Sequence, residues 1–224
     1  MFDLSLFPLH TVLFPGMPLQ LHIFEPRYRL MIRNCLENNQ PFGVVLIRQG
    51  LEALGPLAEP YLIGCTARIV ELETVQDGKL YLTALGDEPF RILELDKSQP
   101  YLIGQVESLH LERSRPLDML RGMHTLMPAI KQYLKLLSQT GNAALDLNLS
   151  DLELPDDPMM LIYLAASLLQ LPSVEKQPLL EATTTLGLVA EVQRLYQRET
   201  AVLSRLAQVN ETQASRASWR SEEH

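Results

Sequence analysis

Phe2, Leu4 and Leu6 alternate with polar or smaller residues at the start of the chain, until Pro8 interrupts the run. Leu19, Leu21 and Ile23 alternate in the same way after Pro15-Gly16. A period of two places one face of a strand in a core and the other in water. Further strands are predicted over 43–48, 63–74, 79–85, 90–95 and 101–111. Asp77-Gly78 lies between two of these runs, and Asp-Gly favours the positive φ of a hairpin turn. One helix interrupts the strands. Pro26 suits a first helical position and Glu25 precedes it, where a carboxylate complements the positive helix end. Tyr28, Met31, Ile32 and Cys35 then follow at helical spacing and form one apolar stripe.

Beyond about residue 112 the period changes. Met119, Leu120, Met123, Leu126, Met127, Ile130, Tyr133, Leu134 and Leu137 recur at steps of three and four. They predict a long amphipathic helix opened by Pro116, kinked near Pro128 and stopped by Gly141. A polar linker over 142–155 follows. Asp157 then caps a helix whose first turn holds Pro158, and almost every position over 159–171 is apolar, so that helix is expected to be buried on most sides. Ser173 is read as the N-cap of a short helix over 174–181. A last helix is predicted over 184–206, with Val189, Val192, Tyr196, Leu203 and Leu206 on one face. From Val209 to the end the sequence is polar and aperiodic, which predicts a frayed or disordered tail. The expected organisation is a β subdomain with one helix over 1–112, a helical bundle over 113–207 and a tail over 208–224.

Composition narrows the class. The 224 residues are 46% hydrophobic and 21% charged, enough apolar material for a sizeable core. A net charge of -8 without a basic run makes nucleic acid an unfavourable partner, because affinity there comes largely from neutralising phosphates. Two cysteines, Cys35 and Cys65, form no CxxC pair. The longest apolar run, over 159–169, falls short of the roughly 18 residues of a membrane span. The start MFDLSLFPLH lacks a basic region and carries Asp3, unlike a signal peptide, so a soluble cytoplasmic protein is expected.

The sequence offers little catalytic chemistry. It contains no GxxxxGK[ST], no GxGxxG, no HExxH and no GxSxG. Ser173-Val174-Glu175-Lys176 fits SxxK, but Pro172-Ser173 before an apolar run reads better as a helix start. His10 and His22 would bind a metal only if they met across strands, and two ligands without a carboxylate are a poor site. Asp156-Asp157 before Pro158 reads as a helix start rather than an acid/base pair. Cys35 on the apolar stripe reads as a small buried hydrophobe. The expectation is therefore no catalytic residue, no metal and no cofactor.

The densest constellation lies near the N-terminus: Phe7-Pro8-Leu9, then Leu13-Phe14-Pro15-Gly16, then Ile23-Phe24-Glu25-Pro26-Arg27-Tyr28-Arg29. It resembles the start of the Lon N-terminal domain, the substrate-recognition domain of Lon proteases. The similarity continues at Gly64-Cys65-Thr66-Ala67-Arg68-Ile69 and Phe90-Arg91-Ile92, and ends at Leu171-Pro172-Ser173-Val174-Glu175-Lys176-Gln177 with Leu179-Leu180-Glu181. The resemblance implies an α+β fold, with an N-terminal PUA-like mixed β-barrel or sheet followed by a C-terminal α-helical bundle over about 1–205. In full-length Lon an ATPase and a serine-lysine peptidase follow this domain, and neither motif is present here. The expectation is a stand-alone, non-catalytic binding module for unfolded or peptide segments of client proteins, delivering them to an ATP-dependent protease or chaperone. The crevice between sheet and bundle is the expected site. Phe14, Phe24, Arg27, Tyr28 and Arg29 are the candidate peptide-binding residues, since aromatics and arginine carry much of the energy at interfaces. Two alternatives stay open. Glu25-Pro26-Arg27 also reads as a plain helix start with Tyr28 in the core, and PUA-like folds also bind small molecules or nucleic acid. The long helices allow a homodimer, although one chain can bury the same stripes.

Overall fold

The structure is a computed structural model that describes residues 1–74, 79–112, 114–139, 155 and 157–221. Strands β1 (Phe2–Leu9), β2 (Pro18–Ile23), β3 (Phe42–Gln49), β4 (Glu59–Thr74), β5 (Leu80–Asp96) and β6 (Leu102–Ser108) form one mixed sheet in the order β2-β5-β4-β3-β1-β6. β1 and β3 run parallel and the other pairs antiparallel. β5 also pairs with β6, so β5, β4, β3, β1 and β6 close on themselves while β2 extends from β5. The Asp77-Gly78 turn lies outside the described residues, and so does the linker up to Leu154.

The expected strands over 79–85 and 90–95 are one continuous strand, β5, of 17 residues. Gly86 and Pro89 suggested a break between them. The ladder instead shifts register between Cys65 and Ala67 on β4, and Thr66 supplies the missing partners. Its hydroxyl accepts the Glu88 N–H at 3.0 Å and lies 3.2 Å from the Glu88 carbonyl, to which it donates. A side chain thus satisfies backbone groups that a bulge removes from the ladder.

Leu4, Leu6, Val45, Phe90, Ile92, Leu102 and Val106 form a buried cluster among the closed strands. Gly64 sits opposite Phe90 on β5 and Val45 on β3. A Cβ on Gly64 would lie 2.4 Å from the Val44 carbonyl oxygen and 2.8 Å from Phe90 Cζ. Hydrogen is all the side chain this position admits.

α1 (Pro26–Glu37) begins as the sequence predicts, with Glu25 at the N-cap and Pro26 in the first turn, and it buries Tyr28, Met31, Ile32 and Cys35. Among the described residues four further helices follow: α2 (Pro116–Gln139), α3 (Pro158–Leu168), α4 (Ser173–Leu180) and α5 (Thr185–Ser221). The Asp157 carboxylate accepts the Met159 N–H at 2.8 Å, as a cap should.

The chain divides into two compact units, Met1–Glu112 with Tyr163–Thr183, and Arg113–Ile162 with Thr184–His224. The helical bundle was expected over 113–207, and within that range 163–183 groups with the sheet. Two polar anchors, from Ser173 and Gln177, explain the return, and a third hydrogen bond, from Lys176, lies within the segment itself. Ser173 donates to the His10 carbonyl at 2.7 Å, and Lys176 donates to the Ser167 carbonyl at 2.8 Å. Gln177, only 2% exposed, donates to the Ile63 carbonyl at 2.9 Å. Apolar periodicity is blind to such bonds.

In the second unit α2 and α5 pack through Leu126, Ile130, Tyr133, Leu188, Val189, Val192 and Tyr196, all buried. Tyr133 and Tyr196 meet edge to face at 5.2 Å. Gly122 lets Val189 approach, and its carbonyl accepts Gln193 at 3.0 Å. Two expectations for the last helix change. Leu206 is half exposed rather than part of the buried face. α5 also runs to Ser221 where a disordered tail was expected. The segment has no apolar period, but it has no glycine or proline to break a helix.

Gly64→Ala is expected to cost about 3 kcal/mol, the upper end for overpacking a core, because part of the clash is with backbone. Melting followed by circular dichroism should then fall by roughly 6–12 °C for a chain of this size. An unchanged midpoint would refute the close approach described above.

Candidate functional site

The stretch from Leu13 to Arg29 separates into a buried half and an accessible half. Phe14 is 1% exposed and stacks on Tyr163, ring centroids 6.1 Å apart. Gly16 has φ of 74°, and its N–H donates to the Gly86 carbonyl at 2.9 Å while the Gly86 N–H donates to Met17 at 3.0 Å. A Cβ on Gly86 would lie 2.3 Å from the Phe14 carbonyl oxygen. Leu-Phe-Pro-Gly is therefore a turn docked against β5. Tyr28 is buried as well and stacks on Phe7 at 4.2 Å. Burial pushes its phenol above the usual range, outweighing the neighbouring Arg27 cation. Phe14 and Tyr28 are core residues, so they are corrected as direct contacts for a ligand.

Phe24 is exposed and Arg29 half-buried. Arg27 is the most constrained of the candidates. One of its terminal nitrogens lies 3.0 Å from a Glu25 carboxylate oxygen, with the two side chains only 13% and 12% exposed. The guanidinium carbon lies 4.7 Å from the centroid of the Tyr28 ring, within cation–π range. Arg27 Nε is buried and has no acceptor among the described residues.

Glu25 has a second task. Its other contact is the Leu54 N–H, 3.4 Å from Oε2. Leu54 has φ of 59°, and Asn39, with φ of 51°, shares the left-handed region. Asn39 follows the end of α1, where such a residue often stops a helix. Leu54 has no such excuse. A leucine there costs roughly 1–2 kcal/mol against its right-handed form. Its side chain is nonetheless 86% exposed, so it recovers nothing by burial. Glu52, two residues earlier, accepts the His10 N–H at 2.8 Å, which ties the loop down a second time.

Beside this loop lies a concavity of about 460 Å³ lined by Glu25, Pro26, Arg27, Leu30, Gly55 and Pro100. Of the sequence candidates only Arg27 lines it. Leu30, Leu54, Gly55 and Pro100 escaped the sequence reading. Leu30 alone left a signal, as a leucine on α1 off the stripe of Tyr28, Met31, Ile32 and Cys35. A larger concavity of about 600 Å³ lies over β2, β4 and β5, where His22 stacks on Tyr81 at 4.5 Å beside Glu71 and Glu73.

The residues weighed for catalysis are committed elsewhere. Ser173 bonds to His10 and Lys176 to Ser167, so the SxxK residues act as separate anchors, and burial pushes the Lys176 ammonium down. The Ser173 hydroxyl donates to that carbonyl instead of capping α4, whose N-cap is Pro172. His10 and His22 belong near β1 and on β2, which are not neighbours in the sheet, and the described residues contain no group of three or more metal-binding side chains. Cys35 and Cys65 are buried free thiols, and burial pushes Cys65 up to about 12. A thiol held neutral is a poor nucleophile. Among the described residues no helix is long and apolar enough to cross a membrane.

Comparison with known proteins decides the family. A family model for the ATP-dependent protease La (LON) substrate-binding domain matches residues 3–198. The chain belongs to the Lon substrate-binding domain family. Lon protease 2 of Syntrophobacter fumaroxidans is 28% identical over 184 residues, 81% of this chain and 22% of that protein. Lon protease 2 of Myxococcus xanthus is 27% identical over 202 residues, 89% of this chain and 24% of that protein. The chain thus spans less than a quarter of the length of these curated relatives. Among solved structures, the N-terminal domain of Mycobacterium avium complex Lon protease superposes with a TM-score of 0.60 at 16% identity, covering 89% of this chain and 98% of that one. A Lon N-terminal domain protein from Xanthomonas campestris gives 0.55 at 24% identity, covering 90% and 98%. The mixed six-stranded sheet with helices is therefore the α+β architecture of Lon N-terminal domains.

The buried thiols of this Lon domain make two measurements predictable. Neither cysteine should react with a thiol probe at pH 8 until the protein is unfolded. The folded Cys65 keeps its proton to about 12 against a usual 9.0, so its contribution to stability is intact below pH 9 and is lost as pH rises towards 12. Urea midpoints should fall from pH 9 upward, and Cys65→Ala should flatten the first part of that fall. A native-state reaction as fast as that of the unfolded chain would contradict this burial.

Proposed function

We propose that this chain is a non-catalytic recognition module that binds unfolded or peptide segments of client proteins and works with an ATP-dependent protease or a chaperone. The observation that carries this reading is the extent of the family match: residues 3–198 correspond to the substrate-binding domain, with the ATPase and peptidase parts of Lon outside it. Two features of the molecule support it. Phe24, Leu30, Leu51 and Leu54 are large apolar residues left exposed in the β unit, side chains that a protein-binding surface can use. Ser173 and Lys176 are bonded to backbone carbonyls and both cysteines are buried, which suits a binder. A net charge of -8 disfavours nucleic acid as the ligand.

The reading is tested by fluorescence anisotropy with α-lactalbumin in two states. The reduced, carboxymethylated and unfolded form should bind at least roughly tenfold tighter than the native form, a difference of about 1.4 kcal/mol. Because the recognition is apolar, doubling the salt should change affinity little. Equal affinity for both forms, or none for the unfolded one, would overturn the proposal.

A further inference from the structure

We infer that the concavity beside α1 and the Gly50–Leu57 loop form a clamp for one kind of occupant, an extended and uncharged apolar segment of a client, with Leu54 as its outer contact. The inference rests on the client-binding reading above and names the surface and the chemistry of the segment. Three observations meet at this place. The first is Leu54 itself, an exposed leucine in the left-handed region. Strain of this kind persists where surrounding structure over-determines it, and it gathers at binding sites. Here the Glu25 carboxylate holds the Leu54 N–H at 3.4 Å and is itself held by Arg27 at 3.0 Å. A glycine, asparagine or aspartate would take the same backbone without strain, so the leucine side chain is what the position keeps.

The second observation is the lining of the concavity. Pro26, Leu30, Gly55 and Pro100 are uncharged, while Glu25 and Arg27 neutralise each other. A lining without net charge matches an uncharged occupant, since a charged group would leave water without gaining a partner. The volume of about 460 Å³ suits a few side chains of an extended chain and falls within the range of small-ligand sites, roughly 300–1,000 Å³.

The third observation is Arg27 Nε, a buried donor with no acceptor among the described residues, on a side chain that lines the same wall. A small shift of the guanidinium would offer that donor to a backbone carbonyl of the occupant. An extended segment presents such carbonyls at every residue, whereas a helix has already used most of them.

Leu54→Asn is the decisive variant because strain and contact respond with opposite signs. Asparagine tolerates the left-handed backbone, so the variant should melt at or above the wild-type temperature while affinity for unfolded α-lactalbumin falls roughly tenfold. Leu62→Asn alters another exposed leucine, on β4, and should leave affinity unchanged. Three labelled peptides complete the set: one of Leu, Phe, Ala and Gly, and two in which the large residues become Asp or Lys. Only the first should bind, and Leu54→Asn should weaken it. Wild-type affinity in Leu54→Asn would overturn the clamp and leave client binding standing. Loss of all binding by the wild type would instead overturn the reading beneath it. A lowered melting temperature in Leu54→Asn would show that the leucine is packed, and equal binding of the charged peptides would refute the uncharged occupant. Self-association of the wild type that disappears in Leu54→Asn on sedimentation would make the occupant a second copy of the chain, and would also overturn the proposal.

Discussion

The fold depends on β5 serving three neighbours at once. Its first half carries β2, its second half carries β6, β4 runs along both, and the pairing with β6 is what closes the sheet. Inside the closed strands space is tight, and Gly64 on β4 leaves room beside the Val44 carbonyl of β3 for the Phe90 ring of β5. Phe90 then fills the interior with its ring, and a fully buried side chain of that kind contributes about 1.5–3 kcal/mol. The turn at Gly16 hangs from β5 through Gly86 in both directions of hydrogen bonding. From these anchors the positions of α1, of the loop between β3 and β4, and of Pro100 before β6 follow. The concavity beside α1 is lined by residues from all three.

The sequence makes the frame legible where one face is apolar and the period is regular. The stripe of Tyr28, Met31, Ile32 and Cys35 names the buried face of α1, and the near-continuous apolar run after Pro158 names a helix with no exposed position between Met159 and Leu169. It fails where polar groups decide. Thr66 carries β5 through a bulge that glycine and proline disguise as a break. Ser173 and Gln177 return a helical segment to the β unit through hydrogen bonds to the His10 and Ile63 carbonyls, neither of which leaves a periodic trace.

The same distinction explains why the candidate site was only partly legible. The marks that carry the family resemblance turn out to be frame-building residues. Leu13-Phe14-Pro15-Gly16 is a docked turn, Gly64 and Phe90 are a close approach, and Ser173 to Gln177 are anchors. Phe14 and Tyr28 attracted notice as aromatics, and their aromaticity serves packing against Tyr163 and Phe7. Arg27 was legible because a guanidinium is conspicuous in any sequence. Leu54 was not, since an isolated leucine between Ala53 and Gly55 looks like any other until its φ is known.

That leaves the question of what the Glu25–Arg27 pair does for the molecule. A half-hidden ion pair is weak evidence of stabilisation, because the cost of removing two charges from water offsets much of their attraction. Its worth here is positional. Glu25 faces the Leu54 N–H while Arg27 lies against Tyr28, and the ion pair links the two contacts. The pair thereby converts a helix start, which Pro26 alone would have secured, into a support for a loop that is held away from its preferred backbone. A helix start needs neither an arginine pinned over a buried tyrosine nor an exposed leucine at φ of 59°. The surplus of constraint over what folding requires is the physical reason to look for binding at this end of the β unit.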